Sequence, residues 1–224
     1  MSSVAIIGGH GKIALLLAKQ LAAQGHQVRS LFRNKDHAPE VAATGAEAVV
    51  ADVEHLDVPA ITELLAGVDA VVWSAGAGGG SPARTYAVDR DAAIRSMNAT
   101  AAAGIERYVM VSYFGASTDH GVPEDNSFFV YAEAKAAADE YLRGTGLSWT
   151  IAAPSSLTDD APTGRIEVKG QDGDGLKSGS VSRADVAAVV AALLPATNSV
   201  GAFVQFNNGD TPIADAVAAI KRAE

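Results

Sequence analysis

The sequence of 224 residues contains no cysteine. Disulfide bonds and thiolate metal sites are therefore excluded, and we expect a reducing, cytoplasmic environment. No apolar run reaches the length of about 18 residues that a membrane span requires, so we predict none. The first apolar run begins at Val4 and is typical of a strand, so we expect no signal peptide.

Positive charge is also scarce, because 17 Lys and Arg residues face 26 Asp and Glu residues and the formal charge is -9. We therefore expect neither a nucleic-acid nor a membrane partner, although this charge is compatible with one local basic pocket for a phosphorylated cofactor. The absence of a Gly-x-Ser-x-Gly motif argues against a serine hydrolase. The five histidines show no metal-ligand spacing, so we predict no metal site.

Glycine is concentrated directly after the first apolar run. Residues 4–7 are typical of a buried strand, and Gly8, Gly9 and Gly11 separate them from a helical pattern at residues 13–21. In this context a Gly-x-Gly-x-x-Ala pattern indicates dinucleotide binding, because bare backbone and a helix N-terminus accommodate a pyrophosphate. A mononucleotide P-loop is not expected, since Ile13 stands where that motif requires Ser or Thr.

Strand patterns and helix patterns alternate along the rest of the chain. Further strands are predicted at residues 28–32, 48–51, 70–73, 108–111, 149–152, 165–168 and 203–206. Helices are predicted at residues 36–44 with Asp36 as N-cap, and at 57–66, 84–103, 128–143, 182–194 and 211–221. This alternation predicts an α/β fold with a Rossmann-type, doubly wound parallel sheet that binds ligands at the carboxyl ends of its strands.

The domain organisation follows from the same pattern, which shows no internal repeat or linker. We predict a single NAD(P)-binding domain over residues 1–224, with its core at about residues 1–153. Residues 154–180 are expected to cover the substrate side, and residues 181–224 to supply closing helices and a strand. A loop at residues 76–82 carries four glycines and is expected to be mobile or shaped by a ligand.

Seven short motifs in order resemble the atypical, short members of the short-chain dehydrogenase/reductase superfamily. They are Gly8-Gly9-His10-Gly11, Ala51-Asp52-Val53, Trp73-Ser74-Ala75-Gly76, Val109-Met110-Val111-Ser112, Tyr131-x-x-x-Lys135, Ala153-Pro154 and residues 181–187. These relatives are NAD(P)-binding proteins of sugar-epimerase-like, flavin-reductase-like or NmrA-like type. One departure is Ala153, where many relatives carry an arginine, and it puts an anionic or nucleotide-sugar substrate in doubt.

The expected cofactor-binding residues follow several of the predicted strands. They are Gly8, Gly9, His10, Gly11, Lys12, Ile13, Arg33, Asp52, Val53, Ala75, Gly76, Lys135 and Pro154. The resemblance implies that Asp52 and Val53 contact the adenine edge. It also implies that Ala75 and Gly76 border a ribose and that Pro154 turns the chain beside the nicotinamide.

The end of the second strand indicates which nicotinamide cofactor is bound. An acidic residue there would bind a ribose 2′-hydroxyl and repel a 2′-phosphate, but the sequence is Leu31-Phe32-Arg33-Asn34. Arg33 can pair with a phosphate, and Lys12 in the glycine turn can add a second positive charge. We therefore predict NADP(H) as the preferred cofactor, with NAD(H) as the alternative.

Tyr131 and Lys135 stand four residues apart on a predicted helix and so share one face. A nearby ammonium is expected to lower the pKa of the Tyr131 phenol, so that it exchanges a proton near neutral pH. The resemblance implies that Ser112 binds the substrate oxygen, which completes the predicted catalytic set of Ser112, Tyr131 and Lys135. In the alternative interpretation Tyr131 only packs, Lys135 holds ribose hydroxyls, and hydride passes directly to a flavin or quinone.

Three functions remain open at this point, all with a small molecule as partner. The first is an NADP(H)-dependent oxidoreductase that acts on a small carbonyl, quinone or flavin. The second is a non-catalytic NADP(H)-binding redox sensor or regulator, and the third is an NAD(P)-dependent epimerase or dehydratase. The expected oligomeric state is a monomer or a homodimer.

Overall fold

The computed structural model describes residues 1–78, 81–169 and 175–221. The glycine loop predicted at residues 76–82 therefore lies partly outside the described residues. The same is true of the predicted covering segment at residues 154–180 and of the last residues of the predicted domain. Over the described ranges, no helix combines the length and the apolar character needed to cross a membrane.

The described chain alternates strands and helices from its first strand to its last helix. The strands are β1 (Ser3–Ile7), β2 (Gln27–Phe32), β3 (Glu47–Val50), β4 (Ala70–Trp73), β5 (Arg107–Val111), β6 (Ser148–Pro154), β7 (Ser156–Thr158), β8 (Arg165–Val168), β9 (Ser180–Ser182), β10 (Ala202–Asn208) and β11 (Thr211–Pro212). The α-helices are α1 (Lys12–Ala23), α2 (Ala38–Ala42), α3 (Val58–Leu64), α4 (Pro82–Thr85), α5 (Ala93–Ala102), α6 (Phe129–Arg143), α7 (Arg183–Leu193) and α8 (Ile213–Ala218). Short 3-10 turns cover Lys35–His37 and Thr197–Ser199, and a π-helical turn at Tyr86–Ala92 joins α4 to α5.

Nine strands form one sheet in the order β11-β8-β10-β6-β5-β4-β1-β2-β3. Seven neighbouring strands of this sheet run parallel, namely β10, β6, β5, β4, β1, β2 and β3. At the other edge, β8 is antiparallel to β10 and β11 is antiparallel to β8. A separate parallel pair joins β7 to β9. The strand order reverses between β1 and β4, and such a switch point is where doubly wound sheets bind ligands. The predicted α/β fold class is therefore confirmed.

The core lies on both faces of this sheet. In β1, Val4 and Ile6 join an apolar cluster with α1 and α7, whereas Ala5 and Ile7 join a second cluster with α3, α5 and α6. This two-sided burial explains why the first strand is an unbroken apolar run.

Three predicted helix starts differ from the structure. Asn34, not Asp36, caps the turn after β2, because its extended backbone lets the Asn34 side chain accept a hydrogen bond from the Asp36 N–H. The helix predicted from residue 84 begins at Pro82 with Ser81 as N-cap. The closing helix begins at Ile213, because Thr211 and Pro212 pair with β8 instead.

Side chains at the start of α7 cap the helix and also bind the loop before β8. Ser182 caps the helix as expected from its position, and its Oγ accepts a hydrogen bond from the Asp185 N–H. The buried Asp185 carboxylate accepts hydrogen bonds from the Thr163 and Gly164 backbone amides. It therefore anchors the loop before β8, a role that the helix pattern does not predict.

Candidate functional site

A cavity of about 280 Å³ opens at the carboxyl edge of the sheet, where the strand order reverses between β1 and β4. It is lined by the turns that follow β1, β2, β3 and β4. Eight predicted cofactor residues lie in its wall: Gly8, His10, Gly11, Arg33, Asp52, Val53, Ala75 and Gly76. Its wall also contains residues that the sequence did not single out, among them Asn34, His37, Glu54, Ser74, Arg84 and Val88.

The glycine turn after β1 forms a cradle of bare backbone at one end of this cavity. Gly8 has a φ of +90°, and a Cβ at this position would lie 2.5 Å from the Ala75 backbone. Gly11 is the N-cap of α1 and makes no side-chain capping bond. The amides of the first helical turn therefore remain available to an anion, and the cradle fits a pyrophosphate.

The other predicted cofactor residues do not line the cavity. A Cβ on Gly9 would lie 2.6 Å from the Ser30 Cβ, so this glycine serves the packing of the turn on β2. Ile13 is buried in the core. Lys12 is exposed, and its Nζ lies 2.7 Å from the Asp159 Oδ2, so the expected second positive charge is paired outside the cavity.

Two arginines and one carboxylate form the polar wall of the cavity. The Glu54 Oε2 lies 3.0 Å from the Arg84 Nε and 3.8 Å from the Arg33 Nη1. Arg84 also donates to the Ala77 carbonyl oxygen. No carboxylate ends β2, as predicted, but Glu54 brings one from the turn after β3, and no spacing in the sequence identifies it.

The turns after β2 and β3 are held by local side-chain contacts. The His10 ring stacks on the His37 ring at 3.5 Å, and its Nε2 lies 2.7 Å from the Glu40 Oε2. The Asp52 Oδ1 accepts a hydrogen bond from the Glu54 N–H, so this carboxylate stabilises the turn that presents Val53 and Glu54.

Asp89 connects the cavity to a buried polar cluster. It lies in the π-helical turn, and its Oδ2 accepts a hydrogen bond of 2.9 Å from the Ala77 N–H, next to Gly76 in the cavity wall. Burial raises the pKa of the Asp89 carboxyl, whereas the Lys135 ammonium, the Ala77 N–H and the Arg84 guanidinium act in the opposite direction. A π-helical turn is often associated with a functional position.

The structure brings Tyr131 and Lys135 to the inner face of α6, as their spacing predicts. Lys135 is 1% exposed, and its Nζ donates to the Val111 carbonyl oxygen at 2.8 Å. The Tyr131 ring packs against Tyr113 and Phe128. Burial raises the pKa of the Tyr131 phenol, with further contributions from nearby acidic groups, so the predicted lowering of this pKa by Lys135 is wrong.

Ser112 follows β5 directly, and its Oγ lies 2.5 Å from the Asp139 Oδ2. Burial raises the pKa of the Asp139 carboxyl, whereas Lys135, Ser112 and Arg143 oppose this rise. Asp139 was not predicted as a site residue, although it lies four residues after Lys135 and so shares its helix face. Pro154 lies nearby at the end of β6, where its carbonyl oxygen accepts a hydrogen bond from the Phe114 N–H.

The reversal of strand order, the glycine cradle and the cavity that it borders define a Rossmann-type dinucleotide-binding protein. A family model described as NAD(P)H-binding matches residues 8–197. The chain therefore belongs to this NAD(P)H-binding family, within the atypical short-chain dehydrogenase/reductase superfamily.

Relatives match this chain over nearly its whole length. It is 34% identical over 216 residues to the uncharacterised sugar epimerase YhfK of Bacillus subtilis. The alignment covers 96% of this chain and 98% of that protein. A solved structure of a provisionally assigned NAD-dependent epimerase/dehydratase from Bacillus halodurans has a TM-score of 0.88 at 32% identity and covers 97% of this chain and 99% of its own. The oxidoreductase ylbE from Lactococcus lactis has a TM-score of 0.85 at 26% identity, with coverages of 97% and 96%.

Proposed function

We propose that the protein is an NADP(H)-dependent oxidoreductase that transfers hydride between the nicotinamide and a small carbonyl, quinone or flavin. The observation that carries this proposal is the position of Asp89. Its carboxylate binds the loop after β4 in the cavity wall and also faces the Lys135 ammonium. The nucleotide cavity and the polar cluster around Ser112, Tyr131 and Lys135 are therefore neighbours.

The bound cofactor would supply or accept the hydride, while the protein binds and orients it. Gly8 and Gly11 would hold the pyrophosphate through backbone amides, with His10 at the edge of the cradle. Asp52 and Val53 would border the adenine, and Ala75 and Gly76 the neighbouring ribose. Lys135 would bind ribose hydroxyls, Pro154 would flank the nicotinamide, and Ser112 would bind the substrate oxygen.

The preference for NADP(H) rests on the environment of Arg33. Its side chain is 55% exposed and lies 3.8 Å from Glu54, which pairs more closely with Arg84. Arg33 is therefore free to turn toward a 2′-phosphate, with which a guanidinium forms strong, charge-assisted hydrogen bonds. Lys12 is left out of this phosphate site because it pairs with Asp159.

We further propose that residues 154–180 form the substrate side of a single domain. The support is the Asp159 carboxylate, which lies 2.7 Å from the Lys12 Nζ at the start of α1 and 2.8 Å from the Arg183 Nη1 at the start of α7. These ion pairs tie the segment to the glycine turn beside the cavity.

One observation favours a second candidate, a non-catalytic NADP(H)-binding redox sensor. The pKa of the Tyr131 phenol is raised and Lys135 is bound to Val111, so the tyrosine is poorly prepared to donate a proton in the expected way. Direct hydride transfer to a flavin or quinone is compatible with the same observation, since it needs no tyrosine acid.

A single assay separates these functions. The protein is mixed with NADPH and a panel of quinones, flavins and aldehydes, and oxidation of the reduced cofactor is followed by absorbance. Turnover with at least one acceptor is expected. Binding in calorimetry without turnover would favour the sensor, and the absence of both would contradict both functions. Where turnover occurs, an unchanged kcat in Tyr131→Phe would identify a mechanism that does not use the phenol.

A further inference from the structure

A buried acid lies directly behind the residue expected to bind the substrate oxygen. Asp139 is 1% exposed and Ser112 is 5% exposed, and their side-chain oxygens are 2.5 Å apart. Tyr131, Lys135 and Asp139 follow each other at intervals of four residues, so all three point from α6 toward β5. None of the roles proposed above uses Asp139.

The oxygen of this carboxyl group that lacks a hydrogen-bond donor favours its protonated form. The Asp139 Oδ1 finds no hydrogen-bond partner in the described part of the chain. An ionised carboxylate accepts hydrogen bonds at both oxygens, and a buried oxygen without a donor is costly. A protonated carboxyl group can instead donate to the Ser112 Oγ, which leaves the Ser112 hydroxyl proton available for another acceptor.

Burial favours retention of a proton on Asp139, and the positive charges around it act in the opposite direction. Lys135 and Arg143 face it from α6, and Tyr108 and Tyr113 approach it from β5 and the loop that follows, with Tyr131 beside them. The Lys135 ammonium also faces Asp89, so one buried cation serves two buried carboxyl groups. Burial raises the pKa of both carboxyl groups, although Lys135 faces both of them, Arg84 faces Asp89 and Arg143 faces Asp139.

We propose that Asp139 stores the proton that the substrate oxygen takes up during reduction and delivers it through Ser112. This inference rests on the proposed oxidoreductase function. As hydride adds to the carbonyl carbon, the C=O π electron pair moves to the oxygen, which takes the Ser112 hydroxyl proton. The Ser112 Oγ simultaneously takes the proton of the Asp139 carboxyl group. Asp139 is left as a carboxylate near Lys135 and regains a proton from water after the product leaves, so the carbonyl is reduced and the nicotinamide oxidised.

The location of the proton is testable without cofactor. In protein labelled with ¹³C at the aspartate carboxyl carbons, the Asp139 resonance is assigned by its loss in Asp139→Asn. It is expected to titrate well above the ordinary aspartate range and to report the acid form in the unliganded protein. An Asp139 carboxylate that titrates in the ordinary range overturns the proposal.

Kinetics test the delivery of the proton. General acids contribute about 10²–10⁴-fold to rates, so Asp139→Asn is expected to lower kcat at least tenfold while KM and NADPH affinity stay within about twofold. It should also remove the fall of kcat at alkaline pH that marks loss of the acid. Ser112→Ala should give a similar loss, and the double variant should lose little more, since both residues serve one proton path.

Two controls keep the outcomes distinct. Glu140→Gln removes an exposed carboxylate from the neighbouring position of α6 and is expected to leave kcat and its pH profile unchanged. If Asp139→Asn keeps the wild-type kcat and pH profile while Tyr131→Phe abolishes turnover, Asp139 is not the proton source and the relay alone is overturned. If the wild-type protein binds NADPH but reduces no acceptor, the proposed function fails, and the relay fails with it.

Discussion

At the scale of single residues, Arg33 is the side chain on which we propose that the choice of cofactor depends. Its guanidinium is largely exposed at the cavity wall and lies 3.8 Å from the Glu54 carboxylate. A hydrogen bond to a charged group contributes about 1.5–3 kcal/mol, which corresponds to roughly 10–150-fold in affinity. We therefore predict that Arg33→Ala weakens NADPH binding at least tenfold and NADH binding less than threefold, as measured by calorimetry.

The matched control for this prediction is Lys35→Ala. Lys35 is an exposed cation two residues along the chain and does not line the cavity. Its removal changes the net charge by the same amount, so it reports the effect of the general field alone. Equal losses of NADPH and NADH affinity in Arg33→Ala would contradict the phosphate role.

Gly8 shows how a single missing Cβ shapes the site. Alanine at this position would combine a left-handed φ with a 2.5 Å approach to the Ala75 backbone, whereas Gly25 has a φ of +84° and open space around it. Left-handed backbone costs alanine about 1–2 kcal/mol, and overpacking adds about 1–3 kcal/mol. We predict that Gly8→Ala lowers the free energy of unfolding by about 2 kcal/mol more than Gly25→Ala, as measured by urea denaturation. Equal losses of unfolding free energy in the two variants would show that the turn accommodates the Cβ without strain, which would contradict the prediction.

Site residues that belong to a local sequence motif could be predicted from the sequence. Site contacts between distant segments of the chain could not. The glycine spacing after Val4 reports a local backbone requirement, so the sequence reveals it. Glu54 reaches the cavity from the turn after the edge strand β3, and Lys12 pairs with Asp159 from far along the chain. Neither contact leaves a periodic trace in the sequence.

At the scale of elements, the π-helical turn determines where Asp89 points. The alanine-rich pattern predicts one long helix at residues 84–103, and it does not reveal that Tyr86–Ala92 is wound more widely. The extra residue per turn directs the Asp89 carboxylate onto the loop after β4. Short strands such as β7, β9 and β11 were missed for a related reason, because two or three residues are too few to show a period.

Asp89 also gives this turn a defined pH dependence. Because burial raises the pKa of the Asp89 carboxyl group, the folded protein keeps this proton to a higher pH than the unfolded chain does. Its contribution to stability is therefore complete below the unfolded pKa and is lost as the pH rises through the folded pKa. We predict that Asp89→Asn, which keeps the acceptor for the Ala77 N–H, gains stability over the wild type as the pH rises, as measured by urea denaturation at several pH values.

The neighbouring Asp91→Asn serves as control for this prediction. Asp91 lies in the same turn, pairs with Arg90 and is partly exposed. The Asp91→Asn variant therefore removes one carboxyl group of the turn and leaves the buried Asp89 carboxyl group in place. The gain with pH is expected to be smaller in this variant. Parallel stability curves for Asp89→Asn and the wild type would show that the Asp89 carboxyl group does not titrate in this range.

At the scale of the whole molecule, the alternation of strands and helices was sufficient to predict the sheet and the edge that carries the site. The parallel order from β3 to β6 follows from right-handed crossovers, and it brings Gly8 beside Ala75 although 67 positions separate them. The antiparallel addition of β8 and β11 at the far edge depends on contacts late in the chain, such as the Asp185 carboxylate that holds the loop before β8.

Cofactor binding joins these parts, so it should stabilise the molecule as a whole. A ligand that binds only the folded state at about 100 times its Kd adds about 2.7 kcal/mol, and for a protein of this size each kcal/mol raises Tm by about 2–4 °C. We predict that NADPH at this concentration raises Tm by roughly 5–11 °C in a thermal scan.

Comparison ligands and one variant test where the nucleotide binds. NADH at equal concentration should give a smaller shift, and Arg33→Ala should reduce the NADPH shift toward that of NADH. Adenosine 2′,5′-bisphosphate, which carries only the adenine and phosphate end, should also raise Tm, because Arg33, Asp52 and Val53 line the cavity and are the residues that we propose to bind this end. A Tm that no nucleotide changes would contradict cofactor binding at this site, and with it both proposed functions.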